Sequence, residues 1–258
     1  MSLMTPMMKM RLANKGRGSF RAEGDVIWLY DVIASDDDEA DWIGGVSPRA
    51  FIGALAETTG PVTLRINSPG GSVFGAQAMV AAMRAHPEPI VARIDSLAAS
   101  AASVIASEAA ECEIAPGAMM MIHKAWGLTI GNADDFTAMA DLLSRLDGQL
   151  AKTYARRSGE HDAEAFLDMM AAETWFEAEE AVTAGLADRV LEENLQRPAA
   201  RWDLSAYQAA PWDPAAPDAD NTNPAPVASP DPEPASLQAE ARLRRQRVAA
   251  ARIAALHA

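Results

Sequence analysis

The chain holds a single cysteine, Cys112, among 258 residues. That excludes an internal disulfide and a cysteine-built zinc site. The alternating piece Glu111-Cys112-Glu113-Ile114 reads as a strand in which Cys112 is a small buried apolar side chain. Lysine is scarce: Lys9, Lys15, Lys124 and Lys152 are all there are. With 22 basic against 36 acidic residues the formal charge is −14. This argues against nucleic acid as a partner, because neutralising phosphates takes clustered Lys and Arg. No apolar run approaches the ~18 residues of a membrane span. Lys9, Arg11, Lys15 and Arg17 break up the Met-rich start, so no signal-peptide core forms there. These absences predict a cytoplasmic protein without a membrane partner. Gly-Lys-Ser/Thr and G-x-G-x-x-G are both missing, which removes the usual nucleotide-binding signatures.

What is there is an ordinary globular composition, 49% hydrophobic and 22% charged, long enough to bury a sizeable core. Residues 1–24 are polar and basic and predict a mobile segment. From Asp25 onward strands and helices alternate. Strands are predicted at 25–33, 61–66, 90–95, 111–114 and 119–123, and helices at 48–56, 72–86, 100–109, 161–172 and 178–184. Ser35 to Asp41 is acidic and predicts a solvated loop. Such βα repetition implies a mostly parallel sheet with helical crossovers. Between 132 and 157, Phe136, Met139, Leu142, Leu143, Leu146, Leu150 and Tyr154 recur at three- and four-residue steps. One apolar stripe on so long a helix faces a core or another subunit. The predicted domain covers 25–195. Nine of the sixteen prolines then fall between Pro198 and Pro234, and that composition predicts a disordered linker over 196–235. Residues 236–258, rich in Ala and Arg, predict a basic and partly helical tail.

Three stretches carry the chemistry. Asn67-Ser68-Pro69-Gly70-Gly71 ends one apolar strand, Ala98-Ala99-Ser100-Ala101-Ala102-Ser103 follows another, and Met119-Met120-Met121-Ile122-His123 ends a third in a histidine. A diglycine after a strand exposes backbone N–H groups. It suits a phosphate site, an oxyanion hole or simply a tight turn, and spacing alone does not choose among them. Ser100 precedes a helix start, where free N–H groups and the helix dipole favour negative charge. Ser96 and Ser103 compete for a nucleophilic role, and helix capping is the ordinary alternative for each. His123 is the one histidine at the end of an apolar strand; His86, His161 and His257 sit in polar or turn segments.

In this order and spacing the three stretches resemble the Clp protease proteolytic subunit family. Glu173-Thr174-Trp175-Phe176-Glu177-Ala178-Glu179-Glu180-Ala181 followed by Gly185-Leu186-Ala187-Asp188 is similar to that family's terminal helix signature. The wording of the motifs is closest to the branch found in phages as head maturation (prohead) proteases. The resemblance implies a ClpP/crotonase-like α/β fold of stacked βαβ units, with the 132–157 helix projecting as an interface element. It also implies a ring-shaped homo-oligomer and a serine endopeptidase. Carried over, Ser100 is the nucleophile, His123 the general base, and Gly71 and Ala101 the backbone donors to the oxyanion. The family's aspartate falls two residues before Phe176, where this chain has Thr174. Glu173 is the preferred substitute for it. Asp168 and Glu177 are alternatives, as is a Ser–His dyad.

The phage branch implies ATP-independent cleavage of a capsid or scaffold protein, with the C-terminal tail as a possible portal or scaffold contact. The chemistry itself needs no metal or other cofactor. Three other readings compete: a Ser–Lys peptidase using Lys124, a crotonase-like acyl-CoA enzyme, and a catalytically weak or inactive assembly component, for which the missing aspartate is the argument.

Overall fold

The structure is a computed structural model that describes residues 4–192 and 202–211. Its centre is set by strands whose residues alternate in character. In β3 (Val62–Ser68) Val62, Leu64 and Ile66 are buried while Thr63 and Arg65 turn to the other side. In β4 (Ile90–Ala99) Ile90, Ala92 and Ile94 do the same against Arg93 and Asp95. The period of two follows from side chains pointing to alternate faces of a strand. With β1 (Ser19–Glu23), β2 (Val26–Tyr30), β5 (Glu111–Ile114) and β8 (Arg189–Val190) these strands form a sheet in the order β1-β2-β3-β4-β5-β8, parallel except at β1.

The apolar face is covered by α3 (Pro48–Ala56), α4 (Val73–Ala85) and α5 (Ala101–Ser107), whose Phe51, Leu55, Met79, Val80 and Ile105 share one cluster with the strand residues. Each such large aliphatic side chain, taken fully from water, contributes on the order of 1.5–3 kcal/mol. On the opposite face Arg65 grips Asp95 through two hydrogen bonds of 2.8 and 2.9 Å.

β4 is the strand that positions the site. Its first half pairs with β5, and its second half, Leu97 to Ala99, pairs with β6 (Met119–Ile122), which in turn pairs antiparallel with β7 (Thr174–Phe176). The β3–β4 register slips between Ile66 and Ser68, so Ser68 lies beside Ala98. Beyond this irregularity Ala98 faces the helix cluster while Leu97 and Ala99 face a second, smaller one. The ends of β3, β4, β6 and β7 thus meet.

The long predicted helix is α6 (Ala133–Ser158), opened by an Asn132 capping box and closed at Gly159. Only its C-terminal half buries residues, among them Leu146, Leu150 and Tyr154. Phe136 and Leu142 lie exposed on the half that projects. After it come α7 (Ala163–Ala171) and α8 (Ala178–Thr183).

Three expectations need correction. The acidic stretch is a helix, α2 (Asp37–Ile43): Asp36 caps Glu39 N at 2.8 Å, and Asp37, Asp38 and Glu39 crowd the positive end of the helix dipole, where carboxylates stabilise a helix. Residues 1–24, expected to be mobile, contain α1 (Pro6–Ala13) and β1. Thr5 caps α1, Arg11 pairs with Glu39 at 2.9 Å, and Met10 is buried. Within the expected linker 196–235, residues 202–211 pack on the domain through Trp202, Leu204 and Tyr207. The rest of that linker and the tail 236–258 lie outside the described residues. Among the described residues no helix is long and apolar enough to cross a membrane.

Candidate active site

Ser100 sits where β4 ends and α5 begins, with φ 54° and ψ −122°. A non-glycine residue in this region of positive φ carries strain of order 1–3 kcal/mol, which persists only when its surroundings over-determine it. They do so here. Ser100 N donates to Met121 O at 2.9 Å, and the Ser100 carbonyl accepts from both Ser103 N and Ser103 Oγ, at 3.0 and 2.6 Å. Ser103 Oγ also meets Tyr154 Oη at 2.8 Å in the core, so Ser103 holds the turn. Ser96 is an internal residue of β4. Although Ser100 occupies the N-cap position of α5, its hydroxyl caps nothing. It lies 2.7 Å from His123 Nε2 instead.

Gly70 and Gly71 press against this turn, at φ 91° and 147°. A Cβ on Gly70 would stand 2.6 Å from Ala99 O and 2.8 Å from Ser100 Cβ, and one on Gly71 would stand 2.1 Å from Ile33 O. Only glycine allows such approach. Ile33 N donates to Gly70 O at 2.9 Å. In a trans peptide the next N–H points the opposite way, so Gly71 N–H is turned from Ile33. Among the described residues neither Gly71 N nor Ala101 N has a hydrogen-bond acceptor. Two unengaged amides flanking a serine hydroxyl suit a developing oxyanion.

His123 follows the last residue of β6. Burial pushes its imidazole down to about 4 from the ordinary 6.5, and the Glu173 carboxylate opposes that shift. The β6–β7 pairing bears on which carboxylate lies near His123. Met120 faces Phe176, Met121 faces Trp175 and Ile122 faces Thr174. His123 and Glu173 are the residues just beyond this last pair, and Glu173 bears on His123 as a charge. Thr174 lies on the helix-covered face beside buried Ile122, and its hydroxyl donates to Met169 O at 2.7 Å. Asp168 is exposed on α7, and Glu177 forms a capping box with Glu180 at the start of α8.

Glu173 acts on His123 as a nearby charge. Among the described residues the His123 ring makes its one hydrogen bond to Ser100. The Glu173 oxygens accept from Gln208 N (3.0 Å), Ala209 N (2.7 Å) and Trp175 Nε1 (3.4 Å). Lys124 is exposed. Cys112 is buried and its thiol is pushed up to about 12, which makes it inert. Among the described residues no cluster of His, Cys, Asp and Glu could hold a metal.

Beside Ser100 and His123 opens a cleft of about 360 Å³, lined on its apolar side by Val104, Leu143, Leu146, Leu150 and Tyr154. Sequence reading missed Tyr207. Its ring packs edge-on to His123 with centroids 5.2 Å apart, and its hydroxyl donates to Pro69 O at 2.6 Å. The available signal was the spacing of Trp202, Leu204 and Tyr207, three large apolar residues inside a stretch whose average composition reads as linker.

Residues 51–194 match the Clp protease family. The chain is 31% identical to ATP-dependent Clp protease proteolytic subunit 3 of Rhodococcus jostii over 141 residues, which are 54% of this chain and 69% of that protein. To the ATP-dependent Clp protease proteolytic subunit of Leuconostoc citreum it is 28% identical over 187 residues, 71% of this chain and 93% of the relative. Subunit 1 of the same protease from Leifsonia xyli is 27% identical over 176 residues, 66% of this chain and 84% of that one. A ClpP-type sheet, a serine in a strained strand-to-helix turn and a family match over more than half its length agree: the chain belongs to the Clp protease family.

Proposed function

We propose that the protein is a serine endopeptidase in which Ser100 is the nucleophile and His123 the general base. The observation that carries this reading is the 2.7 Å contact between Ser100 Oγ and His123 Nε2, made by a serine that occupies a cap position and does not cap. His123 Nε2 accepts the hydroxyl proton as Ser100 Oγ attacks the scissile carbonyl carbon. The oxyanion forms against Gly71 N and Ala101 N. The imidazolium then returns the proton to the leaving amine as the C–N bond breaks, and water releases the acyl group by the same steps in reverse order. Glu173 stabilises the imidazolium electrostatically and stands in for the aspartate that Thr174 replaces. The apolar cleft favours a large hydrophobic side chain next to the bond cut.

The substrate we propose is a phage capsid or scaffold protein cleaved during head maturation, without ATP. Support for this is the wording of the Asn-Ser-Pro-Gly-Gly, Ala-Ala-Ser and Met-Ile-His motifs. A ring-shaped homo-oligomer in the host cytoplasm fits the family, and the exposed Phe136 and Leu142 on the projecting half of α6 supply apolar surface for it. A portal or scaffold contact through the C-terminal tail belongs to the same proposal.

A second reading, a catalytically weak assembly component, draws on one observation: no hydrogen bond joins Glu173 to His123. Mass spectrometry of the purified protein, incubated with a phage capsid protein, separates the two. Cleavage by the wild type and none by Ser100→Ala supports the peptidase; equal cleavage, or none by either, removes it.

A further inference from the structure

Residues 202–211 lie outside the stretch that matches the family, yet they touch His123, Glu173 and the segment that leads into the diglycine. The path of this strap is dictated by its own chemistry. Asn14 Nδ2 donates to Asp203 O at 2.8 Å and Asp203 N donates back to Asn14 Oδ1 at 2.7 Å, a two-point clasp onto the end of α1. The Asp203 side chain accepts from Ser205 N at 2.9 Å, and Tyr207 N closes a turn on Leu204 O at 2.9 Å. Trp202, Leu204 and Tyr207 then bury themselves against Met10, Leu97, Ala99 and Met121, on the sheet face away from α3, α4 and α5. Trp202 Nε1 donates to Asn67 Oδ1 at 2.9 Å, at the head of the diglycine motif.

Three of its contacts bear on groups that would move protons or charge. The edge-on packing of Tyr207 limits the plane of the His123 ring. Its hydroxyl holds the Pro69 carbonyl, in the peptide directly before the one that carries the Gly71 amide. The amides of Gln208 and Ala209 each take one oxygen of Glu173, a residue held at φ 52°. A carboxylate kept by two backbone N–H groups is pinned in place. A side chain that merely covered the serine would need none of these.

We propose that the strap is a built-in part of the active site: Tyr207 positions the His123 ring and the diglycine turn, and the Gln208 and Ala209 amides position Glu173. This rests on the serine-peptidase reading. Tyr207 is a positioning residue, acting through His123 and Pro69.

The test uses the full chain and a fluorophosphonate probe, with the rate of Ser100 modification followed by intact mass and peptide hydrolysis resolved into kcat and KM. Tyr207→Ala is expected to slow labelling about 100-fold, the scale of a misplacement of about 1 Å, and to lower kcat while leaving KM little changed. Tyr207→Phe keeps the ring and loses the bond to Pro69, so it is expected to recover all but about fivefold of the rate, the worth of one ordinary hydrogen bond. In the wild type the Gln208 and Ala209 amides are expected to be protected from hydrogen exchange, and to lose that protection in Glu173→Ala; this arm does not depend on how well Tyr207→Ala folds. Labelling of Tyr207→Ala as fast as the wild type, or faster, overturns the proposal and makes the strap a plug. Free exchange at Gln208 and Ala209 in a protein whose serine does label overturns it too. A wild type that the probe leaves unmodified removes the serine reading itself, and the strap's role with it.

Discussion

Two residues other than glycine have positive φ among the described residues, Ser100 at 54° and Glu173 at 52°, and the two turns they make are held by different means. Ser100 is fixed by the body of the domain: a strand carbonyl in front, Ser103 behind, and two glycines against its side. The contacts that fix its backbone come from residues between Gly70 and Tyr154. Glu173 turns the chain from α7 into β7, and its carboxylate is held by amides more than thirty residues further along. One turn is locked by core packing, the other by an added segment. The chemistry assigned to Ser100 should therefore be the harder of the two to dispense with, and the contribution of Glu173 the easier to tune.

The largest break in this comparison is to remove the nucleophile or its base. Ser100→Ala and His123→Ala are each expected to lower kcat by about 10⁴-fold or more, since members of such a unit fail together. Double substitution should cost little beyond either single one. Burst kinetics with an activated ester measures both; an additive loss would mean that the two side chains do not act as one device.

Next in size is the glycine behind the serine. Gly70→Ala places a methyl 2.6 Å from Ala99 O and 2.8 Å from Ser100 Cβ, at a φ of 91° that L residues rarely adopt. The turn has to open to admit it. We expect a loss of about 1–3 kcal/mol of stability, the scale of strained backbone, together with a fall in labelling at Ser100. Chemical denaturation alongside probe labelling checks this. Full activity in Gly70→Ala would show that the turn is looser than its contacts imply.

Glu173→Gln asks what the second turn is worth. A charge that acts without a direct hydrogen bond is expected to contribute about tenfold to kcat/KM, since each 1.36 kcal/mol of barrier is a factor of ten. The pH profile sharpens the point. Tyr207 and Ser100 touch the His123 ring, and Glu173 is the charge that acts on it. Burial holds His123 at about 4, so the acid limb of kcat/KM should fall near that pH, with activity lost as the imidazole protonates. Glu173 raises that value, so Glu173→Gln should move the limb to lower pH. Stability carries the same sign. A histidine whose folded value lies below its unfolded one adds stability above about pH 6.5, and that stability is lost as pH falls toward 4. An acid limb at 6.5 in the wild type would mean that His123 is solvated.

How much of this was legible in the sequence follows the same division. The Ser100 turn was legible because its constraints are local: two glycines, small residues around a serine, and apolar strands of period two are all readable within a few positions. The parallel sheet and the long α6 were legible for the same reason. α2 was not, because a run of carboxylates reads as a solvated loop until one of them caps the others' helix. β1 and α1 were hidden by a polar composition whose order comes from contacts with distant residues, such as Arg11 with Glu39. The strap was the least legible. Its three anchoring side chains are diluted among prolines and alanines, and its partners Asn14, Asn67 and Glu173 lie far off in the sequence. Glu173 was reached by adjacency to the expected aspartate, but what brings it near His123, its place just past the β6–β7 pairing, is visible only in the fold.

The smallest expected effect tests that register. Thr174→Asp restores the residue type the family resemblance leads one to expect. If the position alone mattered, activity would rise. The pairing says otherwise: residue 174 stands beside Ile122 on the face that packs on the helices, and its side chain reaches the Met169 carbonyl. A carboxylate there meets a carbonyl oxygen instead of an imidazole, and has lost the hydroxyl proton that made the bond. Two acceptors facing each other in a half-buried place cost about 1–3 kcal/mol, and His123 gains no partner. Thr174→Asp is therefore expected to be less stable than the wild type, with kcat/KM changed by less than about twofold. Thermal unfolding and steady-state hydrolysis measure the two sides. A clear rise in kcat/KM would show that His123 can reach residue 174, and that Glu173 is held by the strap for the sake of the strap.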